Sequence, residues 1–280
     1  MATQTATLPR PILPRPITHA SAGVLLPAFT LWWREIVRFY RQPGRVVGVL
    51  ASPLVFWLVL GSGFGSSFRS SAGPSQQHYL DYSYPGTLIL IVLFTSIFTM
   101  MSVIEDRKEG FLLSVLVAPV SRSAIVLGKV LGGTTLSAIQ GMIFLILAPF
   151  TGVHLEVVQI LLVGVVVFLV SFALTALGFA IAWPMDSSQA FHGIVNLFLI
   201  PLWLLSGALF PMDGASGWIR ALMFMNPLTY GVAALRALLY PGAATSFPLS
   251  SAMATLLLFS LAMFGLAFLM VNRRSTRPAA

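Results

Sequence analysis

Apolar residues run through this chain in long stretches separated by short polar ones, and six stretches are long enough to cross a membrane. A spanning helix needs about 20 mostly apolar residues. The stretches that meet this length lie at residues 46–64, 84–104, 123–150, 157–183, 190–210 and 249–271. The pattern predicts an all-α polytopic membrane protein with six transmembrane helices, because a transmembrane barrel shows short alternating segments instead.

Residues 23–45 follow a different pattern, in which apolar and basic side chains recur at helical spacing on separate faces. The residues that carry it are Trp33, Arg34, Ile36, Val37, Arg38 and Tyr40. This pattern predicts an N-terminal amphipathic helix in the membrane interface; a plain juxtamembrane anchor is the alternative. Residues 1–22, with the sequence PRPILPRP, are predicted to be a disordered cytoplasmic tail. The transmembrane domain would then cover 46–272, and residues 273–280 would form a second cytoplasmic tail.

The composition excludes a water-soluble fold. Hydrophobic residues make up 57% of the 280 residues and charged residues 9%, whereas soluble domains carry roughly 25% charged residues. The chain contains no cysteine, which excludes disulfides and thiolate metal sites.

The net charge of +8 bears on topology. With six spans, Arg69, Arg220 and Arg236 fall on one side, which leaves 13 of the 16 lysines and arginines on the other. Because an excess of Lys and Arg marks the cytoplasmic side, both termini and the loop at 105–122 are predicted to be cytoplasmic. Basic residues beside a membrane also contact anionic lipids, so membrane lipids are expected partners and nucleic acid is not.

No constellation of residues in the sequence predicts catalysis or metal binding. Gly128-Lys129 is followed by Val130 and lacks the glycine-rich cradle of a nucleotide-binding loop, so Lys129 is predicted to extend to the cytoplasmic interface. The histidines have no second ligand at metal-binding spacing. No acidic residue lies in the middle of a span, where an ion-coupled carrier usually needs one. The sequence predicts a chain that is not an enzyme and holds no cofactor.

The densest charge cluster lies between the second and third predicted spans, at residues 105–109. Each charge at the bilayer centre costs about 2.5–3.5 kcal/mol, so this cluster must lie outside the hydrocarbon. A charged loop with a short amphipathic segment between two spans is typical of a docking surface for a soluble partner.

Proline and glycine punctuate the region before the last span and predict short re-entrant or outer helices at residues 211–248. Proline breaks a helix interior and suits a first helical turn. The residues of this predicted outer gate are Pro201, Ser206, Gly207, Pro211, Asn226, Pro227 and Tyr230. A purely structural outer cap is the alternative.

Five pieces of the chain together carry a specific pattern. They are SPLVFWLVLGSGFG at 52–65, YLDYSYPGTLILIVLFTSIF at 79–98, EDRKEGFLLSVLVAPVSRSAIVLGKVLGG at 105–133, PLWLLSGALFPM at 201–212 and NPLTYGVAALRALLY at 226–240. In this order and spacing they resemble the ABC-2 type permeases, in particular the daunorubicin-exporter-like and nodulation-factor-exporter-like branch.

The resemblance implies an exporter subunit of a bacterial plasma membrane. It would act as a homodimer or related heterodimer with two copies of a separate ABC ATPase subunit, which would hold ATP and Mg²⁺. The loop at 105–122 would be the coupling segment, and the amphipathic helix a second contact. The implied coupling residues are Glu105, Arg107, Glu109, Gly110, Phe111, Leu112, Pro119, Ser121 and Arg122. The alternative is a membrane scaffold or regulatory protein that recruits another cytoplasmic partner through this loop; drug, lipid and lipid-linked saccharide substrates all stay open.

Overall fold

A computed structural model describes residues 23–64, 79–153, 155–243 and 245–272. Within these ranges the chain is helical and contains no strand. The predicted cytoplasmic tails, residues 1–22 and 273–280, lie outside the described residues.

Eleven α-helices build the described part of the chain. In order they are α1 (Leu25–Tyr40), α2 (Pro43–Phe64), α3 (Tyr79–Lys108), α4 (Phe111–Val117), α5 (Arg122–Leu145), α6 (Val157–Ala182), α7 (Ser188–Ile194), α8 (Ile200–Trp203), α9 (Gly217–Met225), α10 (Pro227–Leu239) and α11 (Leu249–Asn272). Short π-helical segments at Val195–Leu199 and Leu204–Ala208 join α7 and α8 into one stretch, Ser188–Ala208.

Five helical stretches are long and apolar enough to cross a membrane: α2, α3, α6, Ser188–Ala208 and α11. They match five of the six predicted spans and confirm the all-α polytopic membrane fold. The predicted third span corresponds to α5, which ends at Leu145 and does not belong to this group. Lys129, Gln140 and several glycines lower its hydropathy. With 24 residues it is nevertheless about 36 Å long, and it packs against both α3 and α6.

The bent pair α9 and α10 is the sixth candidate span. The two helices meet at an angle of 85° and could form either a broken span or a re-entrant loop. This agrees with the short helices predicted at 211–248. Most of α10 is buried against α6, α11 and α3, so the segment belongs to the body of the bundle.

The central helix of the bundle is α3. Its 30 residues make it about 45 Å long, and α2, α5, α6 and α10 surround it. Residues along its whole length are fully buried, including Leu88, Ile91 and Ile104. Because a bilayer's hydrocarbon core is about 30 Å thick, α3 is long enough to project beyond it.

The amphipathic helix α1 packs along α5 and is shorter than predicted. It ends at Tyr40, and Arg45 already belongs to α2. Two glycines of α5 allow the close approach, because a Cβ at Gly128 would lie 2.7 Å from the Ala28 carbonyl oxygen and one at Gly132 would lie 2.8 Å from the Glu35 Cβ. Small residues four apart permit this kind of backbone contact.

Candidate functional site

One end of the bundle, called here the charged end, is built from α1, the C-terminal end of α3, α4 and the start of α5. The chain leaves α3 through Gly110, whose φ of 76° suits glycine, and enters α4. The Ser121 side chain then caps α5 by accepting a hydrogen bond from the Ala124 backbone nitrogen at 3.3 Å. The predicted coupling segment is therefore a short, well-defined helix between two long ones.

Helix α4 buries one apolar residue and exposes others. Leu112 is buried beside Leu31 of α1 and Ile125 of α5. On the outer side, Leu113 is 61% exposed and Val117 is 88% exposed. An exposed apolar strip on a helix marks a surface for a partner or for lipid.

Several predicted coupling residues have partners inside the chain. The Arg107 guanidinium donates to the Trp183 and Met185 backbone oxygens and to the Asp186 carboxylate, so it ties the end of α3 to the loop before α7. Glu105 accepts from Arg38 of α1 at 2.8 Å.

Of the remaining predicted coupling residues, some contact other parts of the chain and others are exposed. The Arg34 guanidinium carbon lies 3.7 Å from the centre of the Phe111 ring, and Arg122 donates to the Val271 backbone oxygen at 3.1 Å. Glu109 and Pro119 are exposed. The exposed part of the segment is thus mainly the outer face of α4.

Below α4, six charged side chains from three helices meet in what we call the ionic cluster. They are Arg34, Glu35 and Arg38 of α1, Glu105 and Asp106 of α3, and Lys129 of α5. These three positive and three negative charges balance one another, and the Glu109 carboxylate, which is 62% exposed, adds a negative charge at the edge of the cluster, 3.7 Å from the Arg38 guanidinium. Buried charges persist only when they are paired in this way.

Lys129 lies at the centre of the ionic cluster with its side chain buried inside the bundle, so its predicted extension to the cytoplasmic interface is wrong. Its side chain is 1% exposed. The Nζ donates to Glu35 Oε1 at 2.7 Å, to Ser102 Oγ at 3.1 Å and to the Asp106 carboxylate. Opposite charges supplied by two other helices explain why the lysine can be buried.

Asp106 holds the two arginines of α1. Arg34 donates to both of its carboxylate oxygens, at 2.9 and 2.7 Å, and Arg38 donates at 2.6 Å. Burial alone would lower the pKa of Arg34, but the carboxylates of Asp106, Glu35 and Glu109 outweigh it and raise that pKa. The arginine face of α1 is therefore bound to α3, whereas Trp33 and Tyr40 are exposed.

The other end of the bundle contains a break in the stretch Ser188–Ala208, called here the outer break. The backbone departs from helical geometry at Leu205, and at Gly207, where φ is 80°. A broken helix inside a bundle leaves carbonyl oxygens that need new donors.

Side chains from α3 and from both ends of α10 supply these donors. Asn226 donates to the Leu202 oxygen at 2.5 Å, and Tyr82 and Arg236 both donate to the Gly207 oxygen at 3.1 Å. The structure therefore confirms a helix break at Gly207, and side-chain donors satisfy the carbonyl oxygens that the break leaves free.

The predicted gate residues gather around this break. Ser206 donates to the Trp203 oxygen at 2.6 Å, and Tyr230 donates to the Phe224 oxygen at 3.0 Å. Pro227 begins α10 directly after the capping residue Asn226. Pro201 lies within α8, and Pro211 is extended just before the turn at Met212–Gly214. Sequence reasoning missed Tyr82 and Arg236, which carry no local signal of this role.

The fold and these two sites define a multi-pass helical membrane protein with an exposed apolar helix face at one end and a broken helix at the other. A family model described as ABC-2 type transporter matches residues 28–240. Since this is well over half of the chain, the protein belongs to the ABC-2 type transporter family.

Individual relatives agree with this assignment over most of their length. A putative transport permease, ycf38, of Cyanophora paradoxa is 28% identical over 87% of this chain and 80% of its own. The daunorubicin resistance ABC transporter permease protein DrrB1 of Streptomyces coeruleorubidus is 27% identical over 79% of this chain and 77% of its own. Nodulation protein J of Neorhizobium galegae is 23% identical over 78% of this chain and 83% of its own. The chain is a transmembrane subunit of an ABC transporter, and such permease subunits are not catalytic by themselves.

Proposed function

We propose that this chain is the permease of an ATP-driven exporter that moves a hydrophobic or amphiphilic substrate out of the cytoplasm. ATP and Mg²⁺ bind to two copies of a separate ATPase subunit, and a second permease, identical or related, completes the pathway. The complex lies in a bacterial plasma membrane with both termini of this chain cytoplasmic. The similarity to a daunorubicin resistance permease supports a drug-like or otherwise amphiphilic substrate.

The outer face of α4 carries this proposal. Its exposed leucines and valine, Leu113, Leu116 and Val117, project from the charged end between two long helices. They stand apart from Leu112, which is buried. We therefore assign the ATPase contact to this face.

Helix α4 is well placed to transmit force. It follows α3 after two residues and precedes α5 by four, so a push on it acts on both helices. Arg107 extends the connection to the loop before α7 through its bonds to Trp183, Met185 and Asp186. The outer break lies at the far end of the same stretch, where we propose that a jointed helix lets the pathway open.

The test is capture of the ATPase subunit by the tagged chain from its native host in mild detergent. Replacing both Leu113 and Val117 with asparagine removes the apolar face while leaving Leu112 in place. We expect the unaltered chain to capture a soluble protein with a phosphate-binding loop and the double variant to lose it, as measured by mass spectrometry. Loss of two exposed apolar contacts of about 1.5–3 kcal/mol each would weaken binding at least 100-fold.

The matched control is Leu26→Asn, which makes the same apolar-to-polar change at a residue of α1 that is 73% exposed. It is expected to retain the partner. Capture of a partner without a nucleotide site would favour the scaffold function. Equal capture by the double variant would show that α4 is not the contact.

A further inference from the structure

We propose that Lys129 is a positioning residue that makes α1, α3 and α5 move as one rigid unit. The coupling part of this inference rests on the function proposed above, whereas the rigidity itself does not. The lysine contacts no exposed surface, since its side chain is 1% exposed. Lys129 must therefore act through the three helices that it joins.

The three helices are held together by two different kinds of contact. Helix α1 packs on α5 through Gly128 and Gly132, but it meets α3 chiefly through charged side chains. Arg34 and Arg38 reach Asp106 from α1. Lys129 completes the connection among the three helices, because from α5 it binds both Glu35 of α1 and Asp106 of α3.

Because these ion pairs are buried, we expect the connection among α1, α3 and α5 to hold or to break as a whole. Glu35 and Asp106 are 3% and 0% exposed, so drawing either carboxylate away from Lys129 would break a buried ion pair that water cannot easily replace. Breaking a buried ion pair by removing one partner is strongly destabilising. The helices are therefore expected to shift together, with the ionic cluster intact.

Helix α4 delivers force to all three helices at once. It joins α3 shortly after Asp106, and its buried Leu112 contacts Leu31 of α1 and Ile125 of α5. Ile125 lies one helical turn before Lys129. A displacement of α4 by an ATPase subunit would thus move α1, α3 and α5 as a body instead of sliding one past another.

The experiment measures the distance between α1 and α3 by electron–electron double resonance. The natural chain has no cysteine, so spin labels can be placed at Leu25→Cys and Lys108→Cys, both at exposed positions. The labelled chain is mixed with a large excess of unlabelled chain, so that only the pair of labels within one chain is measured, and is assembled with its ATPase subunit in lipid nanodiscs without nucleotide and with ATP plus vanadate. We expect one narrow distance distribution that is the same in both states.

The key variant combines Glu35→Gln with Lys129→Met. It removes one positive and one negative charge, so the remaining cluster of Arg34, Arg38, Glu105 and Asp106 stays neutral and the chain is expected to fold. We expect a second distance population to appear while ATP hydrolysis by the partner subunit continues. Arg41→Met, which removes an exposed cation of the same region, is expected to keep the narrow distribution.

A distance that changes between the two nucleotide states of the unaltered chain would overturn the inference, as would a narrow distribution in the double variant. The thermal midpoint of each variant is measured beside the distances, so that simple unfolding is recognised. If no ATPase subunit can be assembled, the proposed function fails. The nucleotide-free comparison between the unaltered chain and the double variant still tests Lys129.

Discussion

Replacing Gly86 with valine is expected to prevent α3 from packing against the outer break. A Cβ at Gly86 would lie 2.4 Å from the Ala208 Cβ and 2.6 Å from its Cα, and backbone atoms cannot move aside as a flexible side chain can. The Gly86 oxygen also accepts from the Trp203 indole at 2.7 Å. Overpacking costs about 3 kcal/mol at the upper end of its usual range, which lowers a thermal midpoint by about 6–12 °C.

The measurement is the thermal unfolding midpoint of the purified chain in detergent. Gly265→Val in α11 is the matched control, since a Cβ there would meet nothing within 4 Å. It is expected to shift the midpoint far less. Equal midpoints for the two variants would mean that the contact between Gly86 and Ala208 is looser than the structure shows.

Replacing Asn226 with alanine is expected to lower the thermal unfolding midpoint by a comparable amount, because its buried side chain makes two separate hydrogen bonds. Its Oδ1 accepts from the Leu228 backbone nitrogen at 3.0 Å and caps α10, while its Nδ2 donates to the Leu202 oxygen. Loss of a cap costs about 1 kcal/mol, and a buried carbonyl left unpaired costs about 1–3 kcal/mol. The thermal midpoint should fall by several degrees, with export reduced as the outer break loses its shape.

Asn196→Ala provides the control for this prediction. Asn196 lies in the same broken stretch but is exposed, so its loss should leave the midpoint nearly unchanged. Asn226→Asp separates the two hydrogen bonds, because aspartate can still cap α10 but an ionised carboxylate cannot donate to Leu202. A variant with aspartate as stable as the original would show that the cap alone matters.

The length of each apolar run predicts most of the helices, since that length is set by the membrane and needs no knowledge of neighbours. Glycine likewise locates the outer break at Gly207, because its backbone freedom is a local property. A break at Pro201 is the wrong part of this prediction, since Pro201 lies within α8. The Asn226-Pro227 pair predicts the start of α10 through a backbone restriction that is also local, and the structure begins α10 at Pro227.

The ionic cluster could not be predicted because its members are far apart in sequence. Lys129 binds Glu35, which lies 94 residues earlier in the chain. From the sequence alone, a lysine near the end of a span is equally consistent with a side chain that extends to the membrane interface. One signal did exist. Glu35 stands in the apolar stripe formed by Ala28, Leu31 and Phe39 of α1, where an acid needs a buried partner of opposite charge.

The donors at the outer break escaped prediction for a similar reason. Tyr82 reaches the Gly207 oxygen across 125 residues of sequence and Arg236 across 29. The predicted break implies that some carbonyl oxygens lose their partners within the helix. The sequence does not indicate which neighbouring helix supplies new donors. Only the packing of α3 and α10 against the break determines that.

The attachment of α1 to α5 limits how this chain can be recombined with its relatives. A chimera joined at Gln42, between α1 and α2, would take Arg34, Glu35 and Arg38 from one parent and Asp106 and Lys129 from the other. Unless both parents carry matching charges and the two glycines that seat α1, the hybrid would bury an unmatched charge. Helix α1 is therefore a part of the bundle that precedes its first span, and it cannot be exchanged independently of α3 and α5.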